Sequence, residues 1–122
     1  MSLLDPVPPV IDGTTLRRET PAGTLRVTIN AVGDRPFEVF VLLSRAGSET
    51  QSFAEGLGRV ISVLLRIDSS LSARDRLALV ADQLQGIGGA NQIGLGPQRT
   101  LSVVDALGHV LADFTTAAGP PA

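Results

Sequence analysis

Hydrophobic and polar residues alternate through the first half of the chain and then change to helical spacing. Over residues 23–31, Leu25, Val27, Ile29 and Ala31 share one face and Arg26, Thr28 and Asn30 the other, which predicts a half-buried strand. Residues 32–35, Val-Gly-Asp-Arg, supply a turn, and residues 36–43 resume the alternation with Phe37, Val39, Val41 and Leu43. The opposite face of this second strand, Glu38, Phe40 and Leu42, is also largely apolar, so the pattern predicts a central strand or one covered on both sides. Residues 14–19, followed by Pro21-Ala22-Gly23, predict a third strand hairpinned onto the first.

The second half carries three helix starts of one kind. Ser52-x-x-Glu55, Ser72-x-x-Asp75 and Ser102-x-x-Asp105 each place a hydroxyl at the N-cap and a carboxylate three residues on, the capping-box arrangement. An apolar stripe follows each: Phe53, Leu57, Val60, Ile61, Leu64 and Leu65; then Leu77, Val80, Ala81 and Leu84; then Val103, Val104, Leu107, Val110, Leu111 and Phe114. Three amphipathic helices need a common surface, and the meander provides it. The predicted class is α+β, a small antiparallel sheet of about three strands in the N-terminal half packed against about three helices in the C-terminal half.

Residues 1–13 are proline-rich and aperiodic and predict a flexible N-terminal arm; residues 115–122 predict a flexible tail, leaving one domain over residues 14–114. A chain of 122 residues buries enough surface to fold without a metal or disulfide staple. It has no cysteine, which excludes disulfides, thiol nucleophiles and cysteine zinc sites, and one histidine, His109, read as a solvated flank of the last helix. That inventory is poor for an enzyme, and no cofactor is expected. No apolar run reaches the length of a membrane span and no basic region precedes one at the N-terminus, so a cytoplasmic protein is expected.

The net charge of −2 and pI near 5.2 argue against a protein built mainly to neutralise phosphates. All ten basic residues are arginine. Arg17, Arg18, Arg26 and Arg45 sit on predicted strands and loops, where they form a candidate local patch for nucleic acid or a nucleotide. With no Trp or Tyr, a stacking platform rests on Phe37 or Phe40. The stretch from Gly86 to Gly96 has too few template features for a phosphate loop, lacking the lysine of a Walker motif, and reads as a flexible connection with Gly86 at the helix C-cap. Glu55 and Arg59, one helical turn apart, predict a structural ion pair that Glu38 can join, and Asp105 reads as a cap.

Residues 23–30, 34–40, 45–47, 55–62, 83–87 and 101–107 resemble, in that order, the TSCPD domain, which is found at the C-terminal end of vitamin B12-dependent ribonucleotide reductases and as a free-standing small protein. The runs Arg35-Pro36-Phe37-Glu38-Val39-Phe40 and Gly58-Arg59-Val60-Ile61-Ser62 are the most specific parts of the likeness, which spans about residues 16–114. The resemblance implies four cysteines forming a metal site, and the matching positions here hold Ala22, Glu49, Gly89 and Val103. It therefore carries over the fold and not the metal. Nor can 122 residues hold the reductase's catalytic barrel. The reading is a non-enzymatic accessory or interaction module in the setting of ribonucleotide reduction or nucleotide supply. The expected partner is a second copy, a homodimer formed through Phe40 and Leu42, or a ribonucleotide reductase chain. A nucleic-acid or nucleotide-binding protein is the alternative.

Overall fold

The computed structural model describes residues 3–44, 49–88 and 92–117. Three strands, β1 (Asp12–Thr20), β2 (Gly23–Val32) and β3 (Arg35–Leu43), form one antiparallel sheet in the order β1-β2-β3. Helices α1 (Glu49–Arg66), α2 (Ala73–Leu84) and α3 (Val103–Thr116) follow, so the α+β class and the meander are as expected. The two-residue turn between β2 and β3 has Gly33 at φ 59, a left-handed position that costs glycine nothing.

Register decides which residues face inward. Leu16, Val27 and Val41 lie in one cross-strand row and Ile29 and Val39 in the next, with Leu25 beside Leu43. These meet Leu77 and Ala81 of α2 and Leu107, Val110 and Leu111 of α3 in a single core. Each fully buried leucine or isoleucine contributes about 1.5–3 kcal/mol relative to exposure.

The alternation suggested a central or two-sided β3, and the structure corrects this. β2 is central; β3 is an edge strand whose outward residues Phe40 and Leu42 are each about half exposed. Its edge is instead covered by α1. Ser62 Oγ accepts from the Val39 N–H at 2.9 Å while its one proton is shared between the Gly58 carbonyl at 2.8 Å and the Val39 carbonyl at 3.2 Å, and Gln51 Oε1 accepts from the Leu43 N–H at 2.6 Å. α1 thus takes the place of a fourth strand and protects the edge from further pairing. So close an approach needs small residues: a Cβ on Gly58 would lie 3.0 Å from the Val39 carbonyl oxygen.

That geometry also corrects the α1 stripe. The buried residues are Ala54, Gly58, Ile61 and Leu65, whereas Phe53, Val60 and Leu64 of the expected core stripe are exposed. Ser52 is not the N-cap, since α1 begins at Glu49 and the Ser52 hydroxyl donates to the Glu49 carbonyl. Ser72 and Ser102 do cap, accepting from the backbone N–H of Asp75 and Asp105. Two arginines of α2 close helix C-termini: Arg76 donates to the carbonyls of Leu64 and Ile67, and Arg74 to those of Phe114, Thr115 and Ala117. Within the expected N-terminal arm, Leu4 bridges to Ile67 and Asp5 pairs with Arg35 at 2.6 Å.

Candidate functional site

Asp105 is the one buried carboxylate among the described residues. Its two oxygens accept from the backbone N–H groups of Gly86 at 2.8 Å and Leu101 at 2.9 Å, and His109 Nε2 lies 3.2 Å from Oδ1. The C-cap Gln85 of α2 leaves the helix with extended backbone at ψ 142, which directs the Gly86 N–H toward α3, and Gly86 follows at φ 87. The start of the glycine-rich stretch does cradle an anion, and that anion is the chain's own Asp105. Burial acts to raise the carboxyl's pKa, but the N–H donors of Leu101 and Gly86, aided by the charges of His109 and Arg18, outweigh it and hold the group below its ordinary 3.8. His109 is accordingly a half-buried partner of Asp105 rather than a fully solvated flank.

The later part of the same connection is a closed loop. Ile93 and Thr100 exchange two backbone hydrogen bonds around a short turn at Gly96–Gln98. Arg18 clasps it, its Nε donating to Thr100 Oγ1 at 3.0 Å and its Nη2 to the carbonyls of Pro97 and Arg99. Residues 89–91, including Gly89, lie outside the described residues.

The positions that resemble the family's cysteines converge in part. Ala22 and Val103 line one open hollow of about 530 Å³, together with Phe53, Leu57, Leu101 and Val104, and Glu49 adjoins Thr50 on its rim. Ala22 is set there by Thr20, whose hydroxyl accepts from the Ala22 N–H and donates to the Gly23 carbonyl. Ala22 and Val103 have no donor atom to offer a metal and Glu49 offers only a carboxylate, so this set does not fit the metal that the resemblance implies. Among the described residues no cluster of three or more His, Cys, Asp or Glu side chains gathers anywhere.

The four arginines expected to form a patch divide. Arg17 and Arg26 are direct cross-strand partners on the outer face of the sheet, beside Leu42. Arg18 points to the opposite face and holds the closed loop, and Arg45 lies outside the described residues. The remaining arginines sort by the same criterion. Arg35, Arg66, Arg74, Arg76 and Arg99 are each bonded to the fold, whereas Arg17 and Arg26 have no partner among the described residues. Arg59 has only Glu55, at 3.5 Å and well exposed, a pair worth a few tenths of a kcal/mol, roughly. Glu38 does not join that pair; it accepts from Asn30 Nδ2 at 2.9 Å.

Sequence periodicity missed the outer stripe of α1. With Ala54, Gly58, Ile61 and Leu65 turned inward, Phe53 (67% exposed), Val60 (60%) and Leu64 (38%) with half-buried Leu57 form a second apolar strip on the same helix. Gly56 adjoins it, with open space where a Cβ would be.

A single three-stranded sheet with one helix along its edge and two beneath, and no donor cluster for a metal among the described residues, defines a small α+β module. A profile of the TSCPD domain matches residues 6–115, and the chain belongs to that family. No curated protein and no solved structure matches it.

Proposed function

We propose that this TSCPD-domain chain is a non-enzymatic interaction module that works as a homodimer, in the setting of ribonucleotide reduction or nucleotide supply that its family likeness suggests. One observation carries the reading: α1 keeps a second apolar stripe, Phe53, Leu57, Val60 and Leu64, after its first has filled the core side. A stripe on an 18-residue helix is complementary to itself when two copies pack antiparallel about a two-fold axis, and Gly56 lets the helices approach closely. Phe40 and Leu42 are a smaller apolar area, and the guanidinium groups of Arg17 and Arg26 beside them, without a partner among the described residues, would have to be desolvated by a dimer formed there.

The cysteine-free background makes the test clean. A lone cysteine in Val60→Cys, treated with a short bis-maleimide, is expected to give a covalent dimer, while Phe40→Cys gives none. The reverse result moves the interface to the sheet and overturns the α1 assignment. Recovery of a ribonucleotide reductase chain with the tagged protein, lost in Val60→Glu, would place that chain on the stripe in place of a second copy.

The second reading, binding of nucleic acid or a nucleotide through an arginine patch, is favoured by the cross-strand neighbours Arg17 and Arg26, which have no partner among the described residues. Retention of short DNA or RNA at low salt, lost in the Arg17→Glu, Arg26→Glu variant, is the expected outcome.

A further inference from the structure

We infer that the outer face of the sheet binds a short stretch of single-stranded nucleic acid, with a base stacked on Phe40 and phosphates on Arg17, Arg26 and Arg59. This rests on the arginine-patch reading and adds to it a ring, a third cation and a strandedness. The carrying observation is segregation: among the described residues, the two guanidinium groups without a partner, Arg17 and Arg26, and the weakly paired one of Arg59 project from one surface, around Phe40, which is 55% exposed.

Same-face rows of an antiparallel sheet stand about 7 Å apart. Phe40 lies in the row with Thr28 and Thr15, whose hydroxyls bond each other at 2.8 Å, and the next row is Leu42, Arg26 and Arg17. α1 rises beside β3, so Arg59 and Arg26 line a cleft of about 570 Å³ with Phe40 and Val63. The carboxylates at this cleft, Glu38 and Glu55, are engaged by Asn30 and Arg59. Glu19, two positions from Arg17 on the same face, accepts from the Thr24 hydroxyl at 2.9 Å, so the face sets Arg17, Arg26, Arg59 and Arg66 against Glu19, Glu38 and Glu55, a small positive excess in a chain of net charge −2.

An open sheet with an upright aromatic ring suits unpaired bases, which present their faces to stacking; a duplex hides them, and among the described residues no element projects to enter a groove. Three guanidinium–phosphate contacts on a single strand give a slope of log affinity against log salt of about −2.

The experiment is fluorescence anisotropy of a labelled oligothymidine, with a hairpin duplex of equal length as control, starting near 20 mM salt, roughly where such contacts are least screened. The wild-type chain is expected to bind the single strand in preference to the duplex. Arg17→Glu with Arg26→Glu should abolish binding. Phe40→Leu should weaken it about tenfold while leaving the salt slope unchanged. Arginine-dependent binding that ignores Phe40→Leu, or that favours the duplex, overturns the stacking inference and leaves the patch. Absence of binding at low salt overturns both. All three positions are solvent-exposed on a formed sheet, and circular dichroism of each variant checks that the fold is kept.

Discussion

Removing the Asp105 carboxylate should unfasten α3 from the segments on either side of it. In Asp105→Ala the Gly86 and Leu101 N–H groups lose their acceptor, and His109 loses its neighbour. Hydrogen bonds to a charged group contribute about 1.5–3 kcal/mol each, and the two are not fully additive, so about 3 kcal/mol is expected. With a urea slope near 1.5 kcal/mol per molar, that lowers the midpoint by about 2 M. Far-UV circular dichroism is the probe, because the chain has no Trp or Tyr for fluorescence. Asp105→Asn should fall between, since its amide keeps one acceptor and turns a donor toward the other N–H. The pH dependence has a definite sign. The unfolded carboxyl binds its proton near 3.8 and the folded one only at lower pH, so between these values the unfolded state holds more protons and stability falls with pH. The stability gap between wild type and Asp105→Asn should be full above 3.8 and shrink as the pH drops through the lower folded value. A midpoint change under about 0.3 M, or a gap that widens in acid, would refute the fastening role.

Ser72→Ala should cost about 1 kcal/mol of stability in the same denaturation, because it removes a helix cap, while Ser52→Ala, inside α1, should cost under about half of that. Ser62→Ala leaves the Val39 N–H at the β3 edge without its side-chain acceptor and should cost about 1–2 kcal/mol, with faster amide exchange at Val39. Gly108→Ala sets a Cβ 2.8 Å from the Gln85 nitrogen and 3.0 Å from Leu84, which forces α2 and α3 apart; a loss of about 1–3 kcal/mol is expected and a neutral result would contradict the packing.

Alternation and caps made most of the fold legible. The strand pattern located all three strands to within about two residues, β1 starting at Asp12 rather than Thr14, because inward residues such as Val27 and Ile29 leave no other register. The side of α1 that faces inward was not legible. Its apolar arc is wide enough to present either stripe, and the choice falls to Ala54 and Gly58 because only small residues let a helix lie against the backbone of an edge strand. Ser52-x-x-Glu55 imitated a cap by spacing alone, while its hydroxyl is satisfied within the helix by the Glu49 carbonyl. Asp105 was legible as an N-terminal carboxylate of α3, but its bond to Gly86 crosses 19 positions of chain and no local pattern encodes it. The arginine patch was half legible: strand parity separates Arg17 from Arg18, and the register then sets Arg17 beside Arg26.

Assembly through the outer stripe of α1 can be read from sedimentation equilibrium of the wild-type chain, Val60→Glu and Phe40→Glu over a range of concentrations. The wild type and Phe40→Glu are expected to be dimers and Val60→Glu a folded monomer. A wild-type monomer throughout, or a dimer that survives Val60→Glu, would contradict assembly through that stripe.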